Sequence, residues 1–137
     1  FASTSSVSQL QSPYSMSKYA CELMAPDNVV IMRFFTVWGE QNYRTDMLYG
    51  MAMNDQLNYI TDHKRDFTHV YDVCRAIKIL IEKGVGGETY EIGHGRPITN
   101  TAFLKKIGYN KELPVREVTG ESTITCADPS KMKELGW

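Results

Sequence analysis

The sequence predicts an α/β fold in which parallel strands alternate with helices. Residues 1–7 (FASTSSV) form a run of strand length that ends in hydroxyl side chains, and residues 28–34 (NVVIMRF) form a second, continuous apolar run. A helical segment from residue 13 to about residue 25 lies between them. Because strand, helix and strand in succession favour a right-handed crossover, we expect parallel strands with ligands at their carboxyl ends.

The helix between these strands has clear start and stop signals. Ser12 can cap its free amides, Pro13 suits a first helical position, and Pro26 ends it. Tyr14 and Lys18 are four residues apart and therefore share a face. A tyrosine that acts as a base near neutral pH needs its phenolate stabilised, which an ammonium one turn away can do. Since such pairs are common on amphipathic helices, it is the preceding run of hydroxyls that favours a catalytic interpretation.

The rest of the chain predicts shorter elements. Helices are expected at 45–56, capped by Thr45, and at 71–83, 99–107 and 128–136, and strands at 57–60, 65–70, 88–92 and 114–118. Asp72 and Asp128 are expected to cap helices, and Arg33 to be structural.

A glycine pair follows the predicted strand 88–92. Gly93 and Gly95 resemble part of a dinucleotide-binding loop, but Ile98 stands where that loop needs a small residue, and Pro97 intrudes. This arrangement favours an ordinary turn.

Composition excludes some classes of function. The 137-residue chain is long enough for one domain, and its net charge of −1 gives no basic footprint for nucleic acid. No apolar run approaches the length of a membrane span. Cys21, Cys74 and Cys126 form no C-x-x-C pair, which indicates reduced thiols of a cytoplasmic protein, two of them apolar fillers on helices. The three histidines lie far apart in sequence, so no metal site is predicted.

A strand ending in Ser/Thr, followed by a helix with Tyr14-x-x-x-Lys18, resembles the catalytic unit of the short-chain dehydrogenase/reductase superfamily. The likeness is closest to the extended branch, the NAD-dependent nucleotide-sugar epimerases and dehydratases, and it covers almost the whole chain. Further motifs match in order: 33–39 (RFFTVWG), 65–72 (RDFTHVYD), 127–131 (ADPSK) and 135–137 (LGW). Trp38 and Glu40 depart from the usual Tyr and Pro, and the loop before Pro13 is short.

The resemblance implies the carboxyl-terminal part of a Rossmann-like parallel sheet plus a small α/β substrate-binding subdomain, with the amino-terminal Gly-rich half absent. Residues 1–137 would be a single truncated unit. Residues 1–39 would form the catalytic strand-helix-strand. Residues 40–137 would be mainly the substrate-binding subdomain, with 65–83 packing back on the sheet. Because the sequence starts on Phe1, inside a predicted strand, we expect a piece of a longer protein or the product of a truncated gene.

The resemblance also implies catalytic roles. Tyr14 would be the general base and acid, Lys18 would support it, and both would contact the bound NAD. Thr4 would hydrogen-bond the reacting sugar oxygen. Ser5 and Ser6 stand where the 4,6-dehydratases carry Asp-Glu, and since a hydroxyl cannot replace a carboxylic acid, elimination of water is disfavoured.

Substrate contacts are implied at four positions. Arg65 would bind the diphosphate, although a solvated strand charge is the alternative. Thr36 and Arg44 are similar to the residues beside the sugar carboxylate in uronate 4-epimerases, but the loop joining them is one residue longer here. Glu121 would lie near the nucleotide, unless it is an ordinary surface carboxylate.

The sequence therefore predicts part of an NAD-dependent nucleotide-sugar 4-epimerase that acts on a UDP-hexose or UDP-hexuronate by transient oxidation at C4. One alternative is a catalytically silent remnant that binds sugar nucleotide or only self-associates. A second is a nucleotide-sugar reductase or dehydratase of the same family. Because the Tyr/Lys helix of relatives packs in a dimer, we expect a homodimer.

Overall fold

The computed structural model describes residues 1–41 and 43–137 and confirms the α/β fold with a parallel sheet. The elements in chain order are β1 (Ala2–Thr4), a 3-10 helix (Ser5–Ser8), α1 (Pro13–Leu23), β2 (Ile31–Phe34), β3 (Val37–Trp38), α2 (Leu48–Met53), β4 (Lys64–Arg65), β5 (Thr68–His69), α3 (Val70–Lys83), β6 (Thr89–Ile92), β7 (Ile98–Thr99), α4 (Asn100–Lys106) and α5 (Ser130–Glu134). Within the described ranges, each helix is too short or too polar to cross a bilayer.

The central sheet contains three parallel strands in the order β1-β2-β6. Its register aligns Ser3 with Arg33, and Arg33 with Glu91, so these three side chains share one face. The main core joins α3 and α5 to the sheet, and its buried side chains are Val73, Ala76, Leu80, Tyr90, Ile92 and Met132.

The strand predicted over 65–70 is wrong as a single element. It divides into β4, which pairs antiparallel with β7, and β5, which pairs parallel with β3. Between them Asp66 is only 1% exposed, and its carboxylate accepts hydrogen bonds from the amides of His94, Gly95 and Ala127. Burying this charge requires such donors, so the chain turns inward at Asp66 and the ladder is interrupted.

These same contacts confirm the ordinary turn predicted at 93–95. The amides of His94 and Gly95 are taken up by the Asp66 carboxylate, and the turn connects β6 to β7. Gly95 has φ +71°, and a Cβ there would lie 3.1 Å from the carbonyl oxygen of Ala127. The loop is therefore a structural turn.

The first predicted strand is shorter than expected. It ends at Thr4, because the Thr4 hydroxyl accepts a hydrogen bond from the amide of Ser6 and starts the 3-10 helix. Helix α1 begins at Pro13 as predicted, and Ser12 and Ser15 form a reciprocal capping box.

The helix predicted at 45–56 is reduced to α2. Thr45 is not its cap, since the N-cap is Met47 and makes no side-chain hydrogen bond. The strands predicted at 57–60 and 114–118 reduce to one isolated bridge between Ile60 and Val115. Val115 is 63% exposed, so this pairing has little apolar surface to extend it.

Three smaller predictions are also corrected or confirmed. All three cysteines are exposed, so the expectation that two fill the core is wrong. The cap predicted at Asp72 is wrong, because the His69 side chain caps α3. Asp72 lies in the first turn of that helix and faces His94 and Arg75. Asp128 is not the N-cap of α5, which is Pro129, but its carboxylate accepts a hydrogen bond from the amide of Ser130, the first residue of that helix, at 3.0 Å.

Candidate functional site

A cavity of about 620 Å³ opens at the carboxyl ends of β1 and β2. Four of the residues singled out in the sequence line it: Thr4, Tyr14, Thr36 and Arg44. The opposite wall is aromatic, with Trp38 and Tyr49 in a tilted contact at 5.6 Å between ring centroids. The cavity thus combines an apolar wall with hydroxyls and one guanidinium, as small-molecule sites commonly do.

Tyr14 lies in the first turn of α1 and is 58% exposed. The capping box holds this turn in place. The Ser12 hydroxyl accepts from the Ser15 amide at 3.1 Å, and the buried Ser15 hydroxyl accepts from the Ser12 amide at 3.1 Å. The phenol therefore enters the cavity from a well-anchored helix start.

Lys18 lies one turn further along α1 and is directed at β1. Its Nζ donates to the carbonyl oxygen of Ala2 at 2.7 Å and lies 4.6 Å from the centroid of the Phe1 ring. An ammonium has three protons, so this bond leaves two others. The structure brings Tyr14 and Thr4 to one cavity and holds Lys18 against the strand that carries Thr4.

The hydroxyl of Thr4 caps the 3-10 helix. Its Oγ1 lies 3.4 Å from the Ser6 amide and 3.2 Å from Ser6 Oγ. Ser5, the first residue of this helix, lines the cavity next to Thr4.

Arg44 makes a bidentate ion pair with Asp46 at the cavity mouth. The distances are 3.0 Å from Nε and 2.5 Å from Nη2, and both side chains are exposed. These hydrogen bonds hold the pKa of Asp46 below its usual value. The Asp46 carboxylate therefore occupies the Arg44 guanidinium, which the family resemblance assigned to a sugar carboxylate.

A second cavity, of about 420 Å³, adjoins the first and shares Ser5 and Thr36 with it. Its walls are rich in hydroxyls and include both Arg65 and Glu121. We call these two cavities together the groove: Tyr14 lines the first, Arg65 lines the second, and Ser5 and Thr36 line both.

Arg65 is largely buried, with its side chain 16% exposed. Nη1 donates to the carbonyl oxygen of Lys64 at 3.0 Å, and Nη2 lies 3.1 Å from Nδ1 of His63. Glu121 lies 3.6 Å from Nη2. Burial lowers the pKa of Arg65 from its usual value, and the charge of Glu121 opposes this shift.

His63 was missed as a site residue in the sequence. The available signal was its spacing from Arg65, because residues two apart in an extended segment point to the same side. His63 is 6% exposed, and its ring lies against the predicted diphosphate-binding arginine.

A network of charges ties helix α1 to the central sheet. Arg33 of β2 donates to Glu22 of α1 at 3.0 and 2.6 Å and lies 3.7 Å from Glu91. Burial raises the pKa of Glu22, but the hydrogen bonds from Arg33 and the charges of Arg33 and Lys18 outweigh burial, so the net pKa is lowered. These contacts confirm the structural role predicted for Arg33.

Across residues 1–41 and 43–137 the structure shows no cluster of three His, Cys, Asp or Glu side chains that could hold a metal ion.

Comparison with known proteins identifies relatives of one kind. The model of a family described as the NAD dependent epimerase/dehydratase family matches residues 2–93. A dTDP-glucose 4,6-dehydratase from Streptomyces niveus is 28% identical over 145 residues, which cover 91% of this chain and 43% of that protein. The chain thus spans less than half the length of this curated relative.

Solved structures of a dehydratase and an epimerase also match this chain. The dTDP-glucose 4,6-dehydratase DesIV from Streptomyces venezuelae, with NAD bound, is 25% identical with a TM-score of 0.81, over 99% of this chain and 53% of that one. The UDP-glucuronic acid 4-epimerase from Bacillus cereus, in complex with UDP-glucuronic acid and NAD, is 28% identical with a TM-score of 0.77, over 98% of this chain and 53% of that one.

Proposed function

Because this chain belongs to the NAD dependent epimerase/dehydratase family, we propose that it forms the catalytic and substrate-binding part of a nucleotide-sugar 4-epimerase. The substrate is a UDP-hexose or a UDP-hexuronate, which is oxidised transiently at C4. The observation that carries the proposal is the groove that joins Thr4 and Tyr14, through Thr36, to Arg65.

In this proposal, Tyr14 takes the proton of the sugar 4-OH on its phenol oxygen and later returns it. Thr4 Oγ1 shares a cavity with that phenol and hydrogen-bonds the same sugar oxygen. Both groups are held by local hydrogen bonds, Tyr14 by the capping box and Thr4 by the Ser6 amide.

Bound NAD would supply acceptance and return of the hydride. Tyr14 and Lys18 are the residues that would hold its ribose. Lys18 is not among the residues that line the cavity of Tyr14 and Thr4, but its ammonium is held by the Ala2 carbonyl oxygen beside that cavity and keeps two protons for further acceptors, which supports this role.

Arg65 and Glu121 would contact the nucleotide end of the substrate, with Arg65 on the diphosphate. Thr36 and Arg44 would lie beside the sugar. A uronate carboxylate would have to displace Asp46 from the Arg44 guanidinium, whereas a neutral hexose would leave that ion pair intact.

The dehydratase alternative lacks a suitable acid. Although dehydratases are among the compared proteins, Ser5 and Ser6 stand where those enzymes carry Asp-Glu by the family resemblance, and a hydroxyl group is too weak an acid for elimination of water.

We also propose that the protein works in the cytoplasm as a homodimer. Helix α1 exposes several large apolar side chains besides Tyr14: Met16, Tyr19, Leu23 and Met24. A second copy of the chain would cover this surface.

The direct test is Tyr14→Phe in the chain as it exists, supplied with NAD and either UDP-glucose or UDP-glucuronate. NMR of the sugar anomeric protons follows formation of the 4-epimer. We expect wild-type turnover and a loss of roughly 100-fold or more in the variant, because the proton acceptor is removed. Tyr71→Phe, at an exposed position of α3, is the matched control.

A wild-type chain that binds UDP-glucose without forming the epimer would favour the silent binding alternative. Undiminished turnover in Tyr14→Phe would instead refute the role of Tyr14 as base.

A further inference from the structure

We propose that His63 is a positioning residue that aims Arg65 at a diphosphate without neutralising its charge. The inference rests on the proposed function in one respect, namely that the ligand is a nucleoside diphosphate. It concerns a residue for which neither the sequence patterns nor the comparisons gave a role.

The direction of the hydrogen bond between His63 and Arg65 follows from their chemistry. His63 Nδ1 lies 3.1 Å from Arg65 Nη2, and a guanidinium has only donors. Nδ1 must therefore be the acceptor, which leaves the ring proton on Nε2. The ring nitrogen that faces Arg65 is thus an acceptor without charge of its own.

An uncharged acceptor matters because it fixes direction and preserves charge. Arg65 is held by two neutral acceptors, the Lys64 carbonyl oxygen and His63 Nδ1. A carboxylate in the same place would orient the guanidinium equally well but would cancel most of its attraction for an anion. The nearest carboxylate, Glu121, lies 3.6 Å from both Arg65 Nη2 and His63 Nδ1, and because it is 58% exposed, solvent screens its charge.

The backbone of His63 is fixed from the far side. Its carbonyl oxygen accepts from the Asn100 amide at 3.0 Å, at the first residue of α4. The Asn100 side chain in turn donates to Thr61 Oγ1 at 3.0 Å. With His63 8% exposed at its side chain, the ring has little room to turn away from Arg65.

The cavity beyond Arg65 is prepared for an anionic ligand. Two of the five guanidinium N–H groups are used by Lys64 and His63, so three are left for other acceptors. The same cavity is lined by Ser6, Ser12, Ser122 and Thr125. Thr125 Oγ1 is buried and has no hydrogen-bond partner among residues 1–41 and 43–137, so a ligand oxygen in this cavity would satisfy it.

Isothermal titration calorimetry with UDP, and separately with uridine, tests the inference on the whole chain. We expect His63→Leu to bind UDP about tenfold more weakly than wild type, because Arg65 loses its orienting acceptor. His63→Asn should bind within about twofold of wild type, since its amide oxygen takes the place of Nδ1. His63→Asp should bind more weakly than His63→Asn, and uridine affinity should not change. His94→Leu, at an exposed histidine outside the groove, is the control.

Thermal unfolding of each variant reports its folding. If His63→Leu does not fold, the Asn and Asp variants decide the question, because both keep an acceptor and differ only in charge. Equal UDP affinity of these two variants, or wild-type affinity of a folded His63→Leu, would overturn the inference, as would a wild-type chain that binds no UDP. Absence of epimerisation with the expected UDP affinities would refute the proposed function alone.

Discussion

Asp66 organises more of this molecule than any residue of the predicted site. Its carboxylate accepts three backbone hydrogen bonds, which come from residues far away in the sequence. Tyr14, Thr4 and Arg65 were assigned from the sequence because each lies in a short motif that resembles the family. The contacts of Asp66 and His63 were not, since their partners lie on segments whose positions only the folded chain determines.

The first prediction concerns Asp66. Asp66→Ala should lower the free energy of unfolding by about 3 kcal/mol, because three backbone amides, one of them in a buried hydrogen bond, lose their charged acceptor. Chemical denaturation at neutral pH measures the change. Asp62→Ala, at an exposed carboxylate on the same segment, should change stability by less than about 0.5 kcal/mol. Equal losses in both variants would contradict this account.

At the scale of elements, prediction from sequence succeeded where a helix carries its own signals. The start of α1 was placed correctly because Ser12 and Pro13 lie there, whereas the helix ends at Leu23, about two residues before the end predicted from Pro26. The helix predicted from Thr45 failed, because Asp46 pairs with Arg44 instead of joining the first turn. Strands of two residues, such as β4 and β5, are too short to show an alternating pattern.

Ser12→Ala should destabilise the start of α1. Loss of the cap costs about 1 kcal/mol and loosens the turn that carries Tyr14. Ser17→Ala on the same helix is the control, because the Ser17 hydroxyl bonds only to the Tyr14 carbonyl oxygen within the helix. Hydrogen exchange of the first-turn amides should accelerate in Ser12→Ala and change little in Ser17→Ala.

The ion pair between α1 and β2 should make stability depend on pH. The pKa of Glu22 in the folded chain lies below its ordinary value of 4.5, so folding gains stability above that value and loses it as pH falls through the lowered pKa. At pH 7, Glu22→Gln should cost about 2 kcal/mol. This difference from wild type should shrink as the pH falls below 4.5.

Denaturation at a series of pH values measures this effect. Glu82→Gln, at an exposed position of α3, should differ from wild type by a constant amount. A difference for Glu22→Gln that does not vary with pH would show that the ion pair does not set the acid limit of stability.

At the scale of the whole molecule, the α/β class and the parallel pairing of β1 with β2 were predictable from the order of apolar runs. The addition of β6 to the same sheet was not, because 54 residues separate Phe34 from Thr89 and no local pattern encodes that pairing. The join of the two cavities at Ser5 and Thr36 likewise exists only in the assembled fold.

Self-association follows from the exposed apolar face of α1. Sedimentation velocity should show a concentration-dependent dimer for wild type, and Leu23→Lys should weaken it by roughly tenfold or more, because a charge would enter the interface. Ile81→Lys, at an equally exposed position of α3, should leave association unchanged. A monomer at every concentration would refute the proposed homodimer.

The hydrogen bonds of Asp66 also have a kinetic consequence. They link it to amides 28, 29 and 61 positions away, so they can form only after most of the chain has collapsed. Contacts that form late are absent from the folding transition state, and their loss accelerates unfolding while refolding keeps its rate. The packing of residues 94–95 and 127 around Asp66 should therefore be among the last contacts to form and the first to open.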